Sequence, residues 1–274
     1  MSVSRTLHCL VDIEDFEMTN PLKAALKRLL PDSVLMHLQA ADHYFNGEPE
    51  IRLVRSLVTK GMVAVDAGAN IGTYSYFLRQ WARRVYAYEP NPGLAARLTQ
   101  LMPDVTVRQV ALSSKPGSLE LSVPLDDLGR PSHELGSVAQ KFDGECVNFT
   151  VECITIDSEG LNEVGFIKID VEQHEREVLR GALQTISRCR PVIFVEVYPL
   201  KYQRSLAQEF AFILEQGYCA WFSFRDAWHP LSALRPEVHA SAENFGKVKL
   251  FMGNNLFMFP DEHPRAKLGP AKSG

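Results

Sequence analysis

The chain has 274 residues, of which 46% are apolar and 23% charged, and its formal net charge is −4. That much apolar material can build a full core in one α/β domain with additions. Lysines and arginines are scattered with no long basic run, so the composition excludes a general electrostatic reason to bind nucleic acid.

Residues 1–58 read as an N-terminal segment with helices over 21–30 and around 50–58. A main domain follows over 59–259. The tail at 260–274, rich in proline, lysine and glycine, is expected to lack fixed structure. No stretch approaches the roughly 20 apolar residues of a membrane span, and the N-terminus lacks a signal-peptide core. The five cysteines, Cys9, Cys146, Cys153, Cys189 and Cys219, form no Cys-x-x-Cys pair. They fit reduced thiols better than a disulfide framework or zinc site, so a soluble cytoplasmic protein is expected.

Residues 62–65, Met-Val-Ala-Val, read as a strand buried on both faces. Asp66-Ala67-Gly68-Ala69-Asn70-Ile71-Gly72 then forms a tight glycine-rich turn. Residues 73–84 follow as a helix, with Tyr74, Phe77, Leu78 and Trp81 at steps of three and four. Glycine lets the backbone come close to a ligand. Asp66 stands directly ahead of the first glycine, where a pyrophosphate wants free N–H groups and positive potential. A cationic ligand with an aminoacyl group tolerates that acid, which points to S-adenosylmethionine. The missing Gly-x-Gly-x-x-Gly disfavours a nicotinamide oxidoreductase.

Residues 84–88 read as the next strand, ending at Glu89-Pro90-Asn91-Pro92. Glu89 lies seventeen residues after Gly72, close to the position of a ribose-binding acid in a strand–helix–strand nucleotide unit. A helix over 94–101 leads to a third strand from 105 through 112. Strands over 118–123 and 147–154 look paired. The polar segment 124–145 between them reads as an insertion: a mobile surface loop or a substrate lid.

A fourth core strand over 165–171 is followed by Glu172-Gln173-His174-Glu175 and a helix over 177–187. A nearly continuous apolar strand over 191–198, a helix over 203–216 and a sixth strand over 218–224 come next. Residues 225–247 read as irregular, and a last strand is expected within 248–259. Strands alternating with helices predict a mostly parallel sheet covered on both faces.

Ligands of such a sheet bind outside the carboxyl ends of its strands, which places Asp66, Glu89, Ala111, Leu112, Asp170 and Glu196 around one crevice. Gly68, Ala69, Asn70 and Gly72 are expected close to the aminoacyl part of the donor. Asp66 orders the turn and faces the donor's amino group. Glu89, flanked by Pro90 and Asn91, takes the ribose hydroxyls, and Ala111 and Leu112 flank the adenine. Asp170 is the first candidate for a direct role at the methyl or the acceptor hydroxyl. His174 is the second, as a base titrating near neutrality, and Glu172 positions the acceptor. Lys168, inside a strand, is expected in a structural ion pair. Glu196 and Trp228 are expected at the substrate, whereas Tyr74 and Trp221 pack in the core. The acids around Asp170 are consecutive and cannot converge on one ion, so no metal is expected.

With these elements placed, the sequence resembles a class I methyltransferase of the FkbM type. The resemblance is carried by Val-Asp-Ala-Gly-Ala-Asn-Ile-Gly at 65–72, Tyr-Glu-Pro-Asn at 88–91 and Val-Ala-Leu-Ser at 110–113. Phe-Ile-Lys-Ile-Asp-Val-Glu at 166–172, Glu-x-x-Val-Leu-Arg-Gly-Ala at 175–182 and Val-Glu-Val at 195–197 continue it. It implies a Rossmann-like sheet of seven strands whose last is antiparallel, S-adenosylmethionine as methyl donor, and a hydroxyl on a small molecule, sugar or natural product as acceptor. An N-methyltransferase and a donor-binding protein without turnover are the alternatives. One position departs from the family pattern: Gln173 stands where relatives commonly carry glycine, and a reshaped pocket or a relaxed turn follows from it.

Overall fold

The computed structural model describes residues 30–45, 50–125, 129, 131–132, 136–139, 144–224, 227–239 and 255–267. Two helices open it, α1 (Asp32–Phe45) and α2 (Glu50–Leu57). The second matches the helix read around 50–58. The first was not foreseen, and the helix read over 21–30 lies outside the described residues except for its last position.

The nucleotide-binding half runs β1 (Val63–Ala67), α3 (Thr73–Trp81), β2 (Arg84–Tyr88), α4 (Pro92–Leu101) and β3 (Thr106–Arg108). A small accessory sheet follows, made of β4 (Ala111–Leu112), β5 (Gly117–Pro124) and β6 (Cys146–Ile154). The stretch expected as one third strand thus splits. Thr106–Arg108 pairs with β2, and Ala111–Leu112 leaves the main sheet to pair with β6. The second half is β7 (Val164–Ile169), α5 (Glu175–Arg180), α6 (Leu183–Cys189), β8 (Val192–Glu196), α7 (Leu206–Glu209), α8 (Ala211–Leu214), β9 (Tyr218–Phe224), β10 (Ala227–Pro230), α9 (Pro236–His239) and β11 (Asn255–Pro260).

The main sheet has eight strands in the order β10-β9-β11-β8-β7-β1-β2-β3. β1 is parallel to both β2 and β7, and β7 is parallel to β8. β11 inserts antiparallel between β8 and β9. The seven expected strands and the antiparallel last one are therefore present. The eighth, β10, is a hairpin partner added to the edge of β9, in a stretch expected to be irregular. The chain also stays structured beyond 260. Arg190 donates to both carboxylate oxygens of Glu262 and to the carbonyls of Gln216 and Gly217, which fastens that end to the sheet. The expected unstructured tail is corrected to that extent.

Strand alternation feeds two cores, because successive side chains point to opposite faces. Val63, Val65 and Ala67 of β1 pack with α5, α6, α7 and α8 on one face, while Ala64 packs with α1, α2, α3 and α4 on the other. β1 and β7 are buried at every position, as strands covered on both faces must be. At the centre of the second face Phe194 stacks on Phe257, with ring centroids 4.7 Å apart. Chain direction reverses outward from β1, and such a switch point opens a crevice at the strands' carboxyl ends. No helix among the described residues is long and apolar enough to cross a membrane.

Candidate active site

The crevice is lined by Gly68 and Asn70 after β1, Tyr88, Glu89 and Pro90 at the end of β2, and Val110, Ala111 and Leu112. Asp170, Val171 and Glu172 after β7 line its other side, and Leu121, Gly136 and Val138 of the accessory region roof it. Residues far apart in the chain thus meet where the sheet topology requires.

The turn after β1 is held from two directions. The amides of Gly68 and Ala69 both donate to the Tyr88 carbonyl, at 3.0 and 3.1 Å. On the other side Gly68, at φ 74, lies so close to β7 that an added Cβ would overlap the Asp170 carbonyl oxygen. Only glycine satisfies both conditions.

Gly72 has a different task. A Cβ there would sit 2.5 Å from Leu98 Cδ2 and 2.7 Å from Met102 Cε. The residue lets α3 start against α4 and does not line the crevice. Ala69 is likewise buried in the turn, outside the crevice lining. Both have a packing role.

The side chain of Asp66 is fully buried, with Oδ2 accepting from Ser75 Oγ at 2.6 Å and Oδ1 3.4 Å from Lys168 Nζ. It ties the end of β1 to α3 and to Lys168 and is not among the crevice-lining residues. Lys168, 3% exposed, donates to the Gly68 carbonyl at 2.8 Å and lies 3.4 Å from Asp170 Oδ2. Its ammonium sits 5.1 Å from the centre of the Tyr74 ring. The expected ion pair is therefore a three-member one, joining the end of β1 to the end of β7.

Glu89 is a buried carboxylate that lines the crevice at the end of β2. Its Oε2 accepts from the Asn70 amide at 2.7 Å and its Oε1 from the Asn91 amide at 2.8 Å. Burial pushes its carboxyl up to about 7, against the pull of those two amides. Each carboxylate oxygen can take further donors. Asn91 itself caps α4: its Oδ1 accepts from the amides of Gly93 and Leu94 at 3.0 and 3.4 Å. It supports the loop and is not among the crevice residues. The apolar walls at Val110, Ala111, Leu112, Leu121 and Val138 suit a flat heteroaromatic ring.

Asp170 and Glu172 line the crevice beyond the end of β7. Glu172 and Gln173 both adopt left-handed backbone, at φ 52 and 76. The turn is fastened by Ser137 Oγ donating to the Glu172 carbonyl at 2.8 Å, and by the Gln173 amide donating to Glu175 Oε1 at 2.8 Å. Gln173 therefore keeps the glycine conformation, and the turn is not relaxed. Burial, followed by the neighbouring charges of Asp170 and Glu175, pushes the Glu172 carboxyl up to about 7.

His174 turns away from this end. Its Nε2 pairs with Ser113 Oγ at 3.0 Å, and burial lowers its pKa below the ordinary imidazole value. It ties α5 to the accessory sheet and does not line the crevice. Glu196 ends β8 and accepts from the Tyr198 hydroxyl at 3.4 Å, outside the crevice lining.

Trp228 is partly buried and packs against the core of the second face. Its ring packs edge-on against Phe257 at 4.9 Å, under the Arg265 guanidinium. The alternation along β10 puts it on the helical face, which a reading of the stretch as loop could not reveal. Sequence reasoning also missed Val110, Leu121, Gly136, Val138 and Val171 as wall residues. Ser137 carries no signal in the sequence, because its task depends on a loop folding back.

The buried carboxylate at the end of β2, the side-chain-free approach at Gly68 and the apolar ring slot together fit S-adenosylmethionine. The sheet order and the crevice at its switch point are Rossmann-like. Residues 66–219 match the family described as Methyltransferase FkbM domain, over more than half of the chain, and the chain belongs to that family. S-adenosylmethionine is the cofactor of this family.

The chain is 28% identical over 159 residues to the hexuronic acid methyltransferase AglP of Haloferax volcanii, which covers 54% of this chain and 61% of that protein. Among solved structures it is similar to methyltransferase FkbM from Methylobacillus flagellatus KT. That match has a TM-score of 0.45 and 18% identity and covers 86% of this chain and 57% of the other. Precorrin-6y C5,15-methyltransferase from Geobacter metallireducens GS-15 gives a TM-score of 0.40 at 12% identity, covering 76% of this chain and 84% of that one. The chain spans less than two thirds of the length of the first two.

Proposed function

We propose that the protein is an S-adenosylmethionine-dependent O-methyltransferase acting on a hydroxyl of a small molecule or glycan. The observation that carries this reading is the pair of carboxylates, Asp170 and Glu172, lining the crevice beyond the end of β7. An alcohol must lose its proton as it is methylated, whereas a free amine has a lone pair ready, so carboxylates here favour an oxygen acceptor. The sugar acceptor named for the Haloferax relative supports the same choice of substrate class.

When bound, S-adenosylmethionine supplies a methyl group on a sulfonium. Glu89 holds the ribose hydroxyls, and Ala111 and Leu112 face the adenine. Gly68 and Asn70 shape the path of the aminoacyl part. Glu172, whose carboxyl is raised to about 7, accepts the acceptor's proton, since a base works best with a pKa near the working pH. Asp170 orients the reacting groups. His174, turned toward Ser113, takes no part in this scheme. Holding acceptor and donor in line in a closed site supplies much of the remaining acceleration.

The test is calorimetric titration with S-adenosylhomocysteine, with NADH as control, followed by mass spectrometry of methyl transfer to a panel of hydroxylated sugars. Saturable binding of the first ligand alone and methylation of a hydroxyl are expected. Binding of NADH alone would overturn the assignment. Glu172→Gln should lower turnover by about 10²–10⁴-fold while S-adenosylhomocysteine affinity stays unchanged.

A further inference from the structure

We propose that Asp170 is the residue by which the site tells the charged sulfonium donor from the neutral thioether left after transfer. This rests on the donor reading above.

The argument begins with position. Glu89 fixes a ribose at the end of β2, and the adenine slot lies beyond it toward β4. The sulfur and aminoacyl part must therefore extend the other way, over the ends of β1 and β7. The crevice walls there are Gly68 and Asp170.

Charge is the second step. Three ionisable groups meet at these strand ends: Asp66, Lys168 and Asp170, with Lys168 Nζ 3.4 Å from a carboxylate oxygen of each acid. Two carboxyl groups share one amine, so the trio has an acidic excess. The side chain of Asp66 is fully buried and that of Lys168 is 3% exposed, whereas that of Asp170 is 29% exposed. The excess charge is thus presented to the crevice at Asp170. Lys168 cannot swing away and neutralise something else, because the Gly68 carbonyl and the Tyr74 ring hold it as well.

Donor and product share the adenosine and aminoacyl groups and differ at sulfur by a methyl and one positive charge. A fixed carboxylate beside that sulfur stabilises only the charged member, and more strongly in a part-buried crevice than in water. Asp170 therefore favours loading of the donor and departure of the product.

The experiment measures affinities of the full chain for S-adenosylmethionine and S-adenosylhomocysteine, in wild type and Asp170→Asn. The variant should bind the donor at least tenfold more weakly and the product within threefold of wild type. Asp170→Ser, which also removes the charge, should reproduce the shift and serves if the first variant does not fold. Raising the salt concentration should weaken donor binding more than product binding in wild type, because screening acts on the charged pair. Equal weakening of both ligands, or of neither, would overturn the proposal. Failure of wild type to bind either ligand would instead overturn the donor reading beneath it.

Discussion

Gln173 sits at φ 76, in the left-handed region where a β-carbon costs roughly 1–2 kcal/mol. Its amide is used by Glu175 and survives any side-chain change. Gln173→Gly should therefore stabilise the protein by about 0.5–1 kcal/mol after the larger unfolded-state entropy of glycine is deducted, as read by urea unfolding. Glu89 makes a pH-dependent contribution of defined sign. Its carboxyl is raised to about 7 by burial, so between pH 4.5 and 7 the native state binds more protons than the unfolded chain. Stability from this group thus falls as pH rises through that window. Glu89→Gln should flatten the slope of unfolding free energy there. Affinity for S-adenosylhomocysteine should fall as pH drops below 7, because the protonated carboxyl loses acceptor capacity. A fall of the same size in Glu89→Gln would refute the second claim.

Among the elements, α4 shows how a motif residue can serve the fold alone. Asn91 accepts from two free amides at the start of that helix, a cap whose loss costs about 1 kcal/mol. Asn91→Ala should lower stability by that amount, while its own amide, which holds Glu89, remains. Affinity for the donor analogue should change less than threefold in the same titration. The glycine-rich turn, the acid after β2 and the acids after β7 were legible because each combines a residue type with a position at a strand end. Gly72, Ala69 and Asp66 belong to the same motif yet lie outside the crevice lining: a motif reports that a residue is constrained, not whether ligand or packing constrains it. His174 and Ser113 meet only in the folded chain, 61 positions apart, and no local pattern could reveal that His174 is turned away. β10 and the β3–β4 split escaped notice because two- to four-residue strands carry too little periodicity.

Across the whole molecule, the mostly parallel sheet with its antiparallel last strand followed from strand–helix alternation and the family likeness, and the two-faced core followed from the apolar strands. Phe257 lies on β11, the strand inserted between β8 and β9, and stacks on Phe194 while Trp228 closes over it. Phe257→Ala should cost about 3–5 kcal/mol, measured by chemical denaturation. A loss below 1 kcal/mol would mean that this face is not a continuous core. The placement of residues 136–139 was beyond reach of the sequence. It depends on Ser137 pairing with Ser122 of β5 in both directions, at 2.9 and 3.0 Å.

The accessory sheet has a consequence for redesign. β5 and β6 pair over eight positions, from Gly117 with Cys153 to Pro124 with Cys146. Within the accessory sheet the hairpin pairs with the two residues of β4, and from the chain it encloses Ser137 reaches the Glu172 carbonyl. The crevice roof is carried by this hairpin and the chain it encloses, while the donor's ribose and sulfur are served by the main sheet. Within the enclosed chain, Ser137 holds the Glu172 turn and Gly136 and Val138 wall the crevice, so an exchange there must keep residues 136–138, as a tool head keeps its shank. A library built in that stretch with those three residues kept would search acceptor preference while the donor site is retained.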